Sequence, residues 1–325
     1  MPETVSSASA GVIDTPVAHI DQTAPPAGSD AAPVGENGSI AYTLAMLIGA
    51  VVVSLVIIRR RMDRLPHVPN RIIPFGISLG LITFASMHIG MVFGQIVMYG
   101  FLPIEIPDGV DPLTHIERLS DDEKLQLNAL IQIGSRVGMG IGLLVPWCLS
   151  DRIRIPTLRE PKMSMVVAML LGIGATLLVW PLVSITGLAG RAFAAWMSPE
   201  TDAPAIAHET LSMMINARTG AWWYIMIFMV GVAAPVTEEI AYRGIIQNML
   251  RQGGMNPWPA IGITSIVFAL IHLPVVEWYA LLPLFILSLG FGWAYEKSGR
   301  LLTPIIMHVL FNLANVTLAV SGAVQ

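Results

Sequence analysis

Two adjacent carboxylates, Glu238 and Glu239, and an arginine, Arg243, stand at the end of a strongly apolar run in the stretch A-P-V-T-E-E-I-A-Y-R-G, residues 234–244. Charge in or beside a hydrocarbon layer is costly and is usually kept for function. Two later apolar segments add histidines: F-A-L-I-H ends at His272, and H-V-L-F-N starts at His308. An imidazole exchanges protons near neutral pH, ligates a metal or donates a hydrogen bond. Together these residue types point to hydrolytic chemistry performed within a membrane.

The local spacing assigns different parts to the two carboxylates. Pro235 suits the first turn of a helix or kinks a longer one, and Thr237 caps a new turn or bonds back to the preceding one. In a helix Glu239 and Arg243 are four residues apart and share a face, where an ion pair makes both charges tolerable. Glu238 points about 100° away from Glu239 and is free to face a cavity. His308 and Asn312 also share a helical face, a pair suited to stabilising an oxyanion. Taken alone, Glu-Glu-x-x-x-Arg describes a structural ion-pair cluster equally well, and each histidine an interhelical hydrogen-bonding residue. The joint presence of Glu, two His and Asn is harder to explain as packing.

The elements that must position these residues are membrane helices. The chain is 54% hydrophobic and 12% charged, against about 25% charge in soluble domains. Its mean hydropathy is +0.68, and its apolar runs are too long for ordinary buried helices. The predicted fold is an all-α polytopic integral membrane helical bundle of about eight transmembrane helices. The segments are approximately residues 42–58, 72–101, 129–149, 163–185, 221 to the Glu-Glu motif, 257–272, 279–295 and 302–320. Residues 1–40 lack Lys and Arg and read as a disordered acidic Ala/Pro-rich tail. Residues 41–200 are then N-terminal transmembrane helices, and 201–325 a core carrying the motifs.

Arg59, Arg60, Arg61, Arg64 and Arg71 follow the first segment and place that loop inside, with the N-terminus outside. The expected setting is a bacterial inner membrane. The single cysteine, Cys148, excludes an internal disulfide framework. No basic patch or phosphate-binding loop is present, so no nucleic-acid partner is expected. One depth does not fit. Glu238 and His308 count near the inside, whereas His272 ends a segment whose rise puts it roughly 22 Å from Pro257.

The three motifs, Glu238-Glu239-Ile240-Ala241-Tyr242-Arg243, Phe268-Ala269-Leu270-Ile271-His272 and His308-Val309-Leu310-Phe311-Asn312, occur in the order typical of the CPBP family. The chain resembles these intramembrane proteases, also called the CAAX-protease and bacteriocin-processing or Abi family, over roughly residues 221–319. The N-terminal half carries no matching motif. The resemblance implies that Glu238 activates water against a peptide bond and that His272 positions the water. It implies that His308 and Asn312 support the oxyanion, while Glu239 and Arg243 brace the site.

By the same resemblance, the partners are the lipid bilayer and a peptide or membrane-protein substrate, a prenylated CaaX-type protein being one candidate. Family members are often described as metalloproteases, and Glu238, His272 and His308 could hold zinc with one position open. The His-Glu-x-x-His pattern of a zinc helix is missing, and the metal-free glutamate mechanism is the preferred expectation. Two other readings stay open: an immunity or scaffold protein that keeps the fold without catalysis, and a proton-coupled transporter using Glu238, His272 and His308 as a relay.

Overall fold

A computed structural model of the chain describes residues 36–60, 64–65, 77–101, 116, 118–149, 163–198, 208–217 and 220–321. The expected acidic tail falls, up to residue 35, outside the described residues, as do Arg61, Arg71 and most of the acidic loop after the second segment. Regular structure among the described residues is helical, with one isolated antiparallel bridge between His208 and Val276.

The helices are α1 (Glu36–Arg60), α2 (Ile77–Tyr99), α3 (Asp121–Leu149), α4 (Met165–Met197) and the short α5 (Glu209–Asn216). They are followed by α6 (Ala221–Gln252), α7 (Pro257–Ile271), α8 (Leu281–Ser298) and α9 (Leu302–Val320). Six among the described residues are long and apolar enough to cross a membrane: α2, α3 as far as Leu144, α4, α6, α8 with the turn before it, and α9. Two shorter apolar helices, Tyr42–Ile57 within α1 and Pro257–Ile271, complete the eight predicted segments. The chain is a polytopic helical membrane protein, and all these elements belong to one unit, Val34–Gln325.

Two boundaries differ from the hydropathy reading. α3 starts at Asp121 rather than near Ala129, because Ser120 and Glu123 cap it reciprocally. The backbone N–H of Ser120 donates to Glu123 Oε2 at 2.9 Å, and that of Glu123 donates to Ser120 Oγ at 3.4 Å. The acidic first turn, Asp121, Asp122 and Glu123, also suits the positive end of a helix. The second difference is α6. It does not end at the Glu-Glu motif but continues to Gln252 through two π-helical turns, Met229–Ala233 and Ile240–Gln247. Pro235 sits in the first turn of the α-helical stretch between them, Ala234–Glu239, where its missing N–H leaves the preceding turn without its usual bond. Widened turns of this kind recur at functional sites.

Glycines allow α2 and α3 to pack backbone to backbone. A Cβ added at Gly90, Gly94, Gly138 or Gly142 would land on a carbonyl of the facing helix. Small residues at such spacing let membrane helices approach closely. Polar contacts tie the same seam: Ser86 Oγ donates to Gly142 O at 2.8 Å and Gln95 Nε2 donates to Ser135 Oγ at 2.8 Å. α4 packs on α8, α9 and α1, while α7 packs on α8. Gly299, in the left-handed conformation at φ 70°, closes α8 and turns the chain into α9. The core that results centres on Tyr242, Phe268, Phe291 and Met307.

Candidate active site

Glu238 lies near the middle of α6, and this resolves the depth conflict. From Glu238 the helix descends to Gln252 over about 21 Å, and α7 climbs back from Pro257 to His272 over about 22 Å. His272, the residue that closes α7, thereby returns to the level of Glu238. His272 Nε2 stands 3.8 Å from Glu238 Oε2, and His308 Nε2 stands 3.9 Å from the same oxygen. Two histidines, from the end of α7 and from α9, therefore converge on one carboxylate oxygen of α6.

Each histidine is oriented through its other ring nitrogen. His272 Nδ1 lies 2.6 Å from the carbonyl of Phe268, one turn back, and that oxygen can only accept. His308 Nδ1 lies 2.9 Å from Glu239 Oε1. The spacing Phe-x-x-x-His thus supplies both the acceptor that aims His272 and a ring that packs on it, with centroids 4.6 Å apart. Phe291 stacks on His308 at 4.8 Å.

Glu239 and Arg243 form the expected ion pair, 3.0 Å apart and both fully buried. Arg243 Nη2 also donates to the backbone oxygen of Ser288 at 3.0 Å and to its hydroxyl at 2.6 Å. Phe268 and Phe291 lie against its guanidinium at 5.1 and 5.0 Å. These contacts replace the hydration that a buried cation loses.

Asn312 ties α9 to α6. Its amide nitrogen donates to the carbonyl of Val230 at 2.9 Å, inside the first π turn, where a backbone acceptor is available. Thr237 bonds back to the carbonyls of Ala233 and Ala234, both at 3.0 Å.

Two residues at the site have no place in the three motifs. Arg136 of α3 pairs with Glu238 Oε1 at 3.4 Å. Its signal was available in the sequence: a lone arginine seven residues inside an apolar segment that begins near Ala129. His208, just before α5, is bridged to Val276 in the turn that follows His272. Its imidazole is pushed down to about 4, mainly because burial disfavours the cation; His272 adds to this and Glu238 opposes it. No sequence signal marks His208, which lies in a polar loop.

Glu238, His272 and His308, the alternative zinc set, are not grouped as a metal site, and no group of three or more His, Cys, Asp or Glu among the described residues is. Ligands bound at about 2.0–2.1 Å to one tetrahedral ion sit roughly 3.4 Å apart. Here the carboxylate stands wider from both rings, and it is already paired with a guanidinium.

The model of the Rce1-like family, the type II CAAX prenyl endopeptidases, matches residues 220–314. Residues 220–314 are similar to that family. This match to the CPBP family spans α6 to most of α9 and contains all three motifs. The chain is also 30% identical over 86 residues to an uncharacterized 24.3 kDa protein of Escherichia coli, across 26% of this chain and 40% of that one. It therefore spans less than half the length of that curated relative. No solved structure matches significantly. Arg136 and His208 both lie outside the Rce1-like segment, although they stand at its site.

Proposed function

We propose that the chain is an intramembrane endopeptidase that hydrolyses a peptide bond with water activated by Glu238. The observation that carries this reading is the convergence of His272 Nε2 and His308 Nε2, at 3.8 and 3.9 Å, on Glu238 Oε2. Those gaps exceed a hydrogen bond and suit a bridging water oxygen. Glu238 takes a proton from that water as its oxygen attacks the substrate carbonyl, and His272 holds the water's second hydrogen. His308, with Nδ1 donating to Glu239, serves the oxyanion through Nε2–H when it is imidazolium, and Asn312 steadies the helical turn behind it. The proton on Glu238 then passes to the leaving amine, so the cycle closes without net charge change. This step runs through protein groups and water alone.

The substrate fits the class named by the family description: a prenylated CaaX-type peptide, or another membrane-proximal peptide that reaches Glu238. The bilayer is the other partner. The arginines after α1 favour an N-terminus outside. Comparing peptide C-termini in cells bearing Glu238→Ala and wild type tests the reading. Processing should fall by about 10²–10⁴-fold at unchanged membrane abundance. Identical peptide sets would sink hydrolysis and favour the scaffold alternative.

A further inference from the structure

The Rce1-like segment does not complete its own site. Arg136 enters from α3, about 85 residues before that segment begins. Its guanidinium is held at several points. Nη2 donates to Gln132 Oε1 at 3.1 Å, Nη1 donates to Thr237 Oγ1 at 3.3 Å, and the same Nη1 stands 3.4 Å from Glu238 Oε1. Nε is buried with no hydrogen-bond partner among the described residues. Gln132 and Arg136 lie one turn apart on α3, so the helix itself aims the cation. A carboxylate has two oxygens and can rotate. With Oε1 engaged by Arg136, Oε2 is the oxygen left to face His272 and His308. The contact also gives the Glu238 charge a counter-ion where water is scarce.

We propose that Arg136 is a positioning residue: it fixes which oxygen of Glu238 acts as base and keeps that carboxylate in register with the two histidines. The N-terminal helices are then part of the catalytic unit rather than an anchor for it. This inference rests on the hydrolytic reading of Glu238. It predicts that charge at position 136 matters more than the shape of the side chain, since the contact to Glu238 is a single, fairly long ion pair.

The test compares peptide C-termini in membranes of cells carrying the full-length wild type, Glu238→Ala, Arg136→Gln or Arg136→Lys, each normalised to its membrane abundance. Arg136→Gln should reproduce the Glu238→Ala peptide set, with processing down by about 10²-fold, the scale of a small misplacement of a reacting group. Arg136→Lys should recover a substantial part, which a role in packing alone would not produce. If Glu238→Ala changes the peptides but Arg136→Gln does not, or if lysine recovers nothing, the inference falls and the hydrolytic reading survives. If Glu238→Ala matches the wild type, both fall. Should Arg136→Gln fail to accumulate, Gln132→Leu decides. Loosening the guanidinium there should lower processing several-fold at normal abundance, and unchanged processing would overturn the inference.

Discussion

Glu238 and Glu239 are chain neighbours, yet they belong to two different regions of the molecule. Around Glu239 everything is closed: Glu239 and Arg243 have no exposed side-chain surface, and two aromatic rings cover the guanidinium. Around Glu238 the side chains keep some access, with 15% of Glu238, 16% of Arg136 and 17% of His272 exposed. His308 joins the two, with Nδ1 in the closed region and Nε2 facing the open one. The difference shows how one helix can carry two acids without making them equivalent. The closed pair supplies shape, and the open one keeps an oxygen for chemistry.

The sharpest way to break that contrast is Arg243→Ala. It strands Glu239 as a buried charge and should cost about 3–5 kcal/mol of stability. Glu238→Ala, in the accessible region, should cost less, because Arg136 keeps its bonds to Gln132 and Thr237. Denaturant unfolding of the purified proteins in mixed micelles measures both, and equal losses would erase the distinction. A smaller effect is expected at the α2–α3 seam. Gly138→Val should overpack the seam at a cost of about 1–3 kcal/mol and draw Arg136 away from Glu238. Gly140, on the same helix with nothing within 4 Å of its absent Cβ, is the control. Gly140→Val should cost no more than about 0.5 kcal/mol. Peptide processing should fall in the first variant alone.

One expected effect is confined to mildly acid pH. His208 has a folded value of about 4 against an ordinary 6.5, so the unfolded chain binds that proton first. Its contribution to stability is complete above pH 6.5 and is lost progressively as pH falls towards 4. His208→Gln should flatten that part of the melting-temperature profile, and an unaltered profile would remove His208 from the account.

Much of this was readable in the sequence where the physics is local. The four-residue spacing of Glu239 and Arg243 predicts a contact, and the pair forms. The apolar segments predict the helices. Hydropathy failed at Glu238 because it registers charge as an end, whereas buried charges with partners let the helix run on to Gln252. Arg251 shows the same limit. It is a charge near the end of α6, yet it is buried, 3.2 Å from Glu296. Arg136 was visible as a lone charge in an apolar segment, but its partner Glu238 lies 102 residues away, and no single segment displays that pairing.

The matched legs of the α6–α7 hairpin also act as a ruler. The turn at Gly253 and Gly254 and the carboxylate of Glu238 are separated by about 21 Å of helix. A peptide threading in from that end must lay out about six extended residues before a bond reaches the base. A chain arriving sideways from the lipid needs no such lead. Lengthening the free end of a substrate, residue by residue, would therefore reveal the direction of entry.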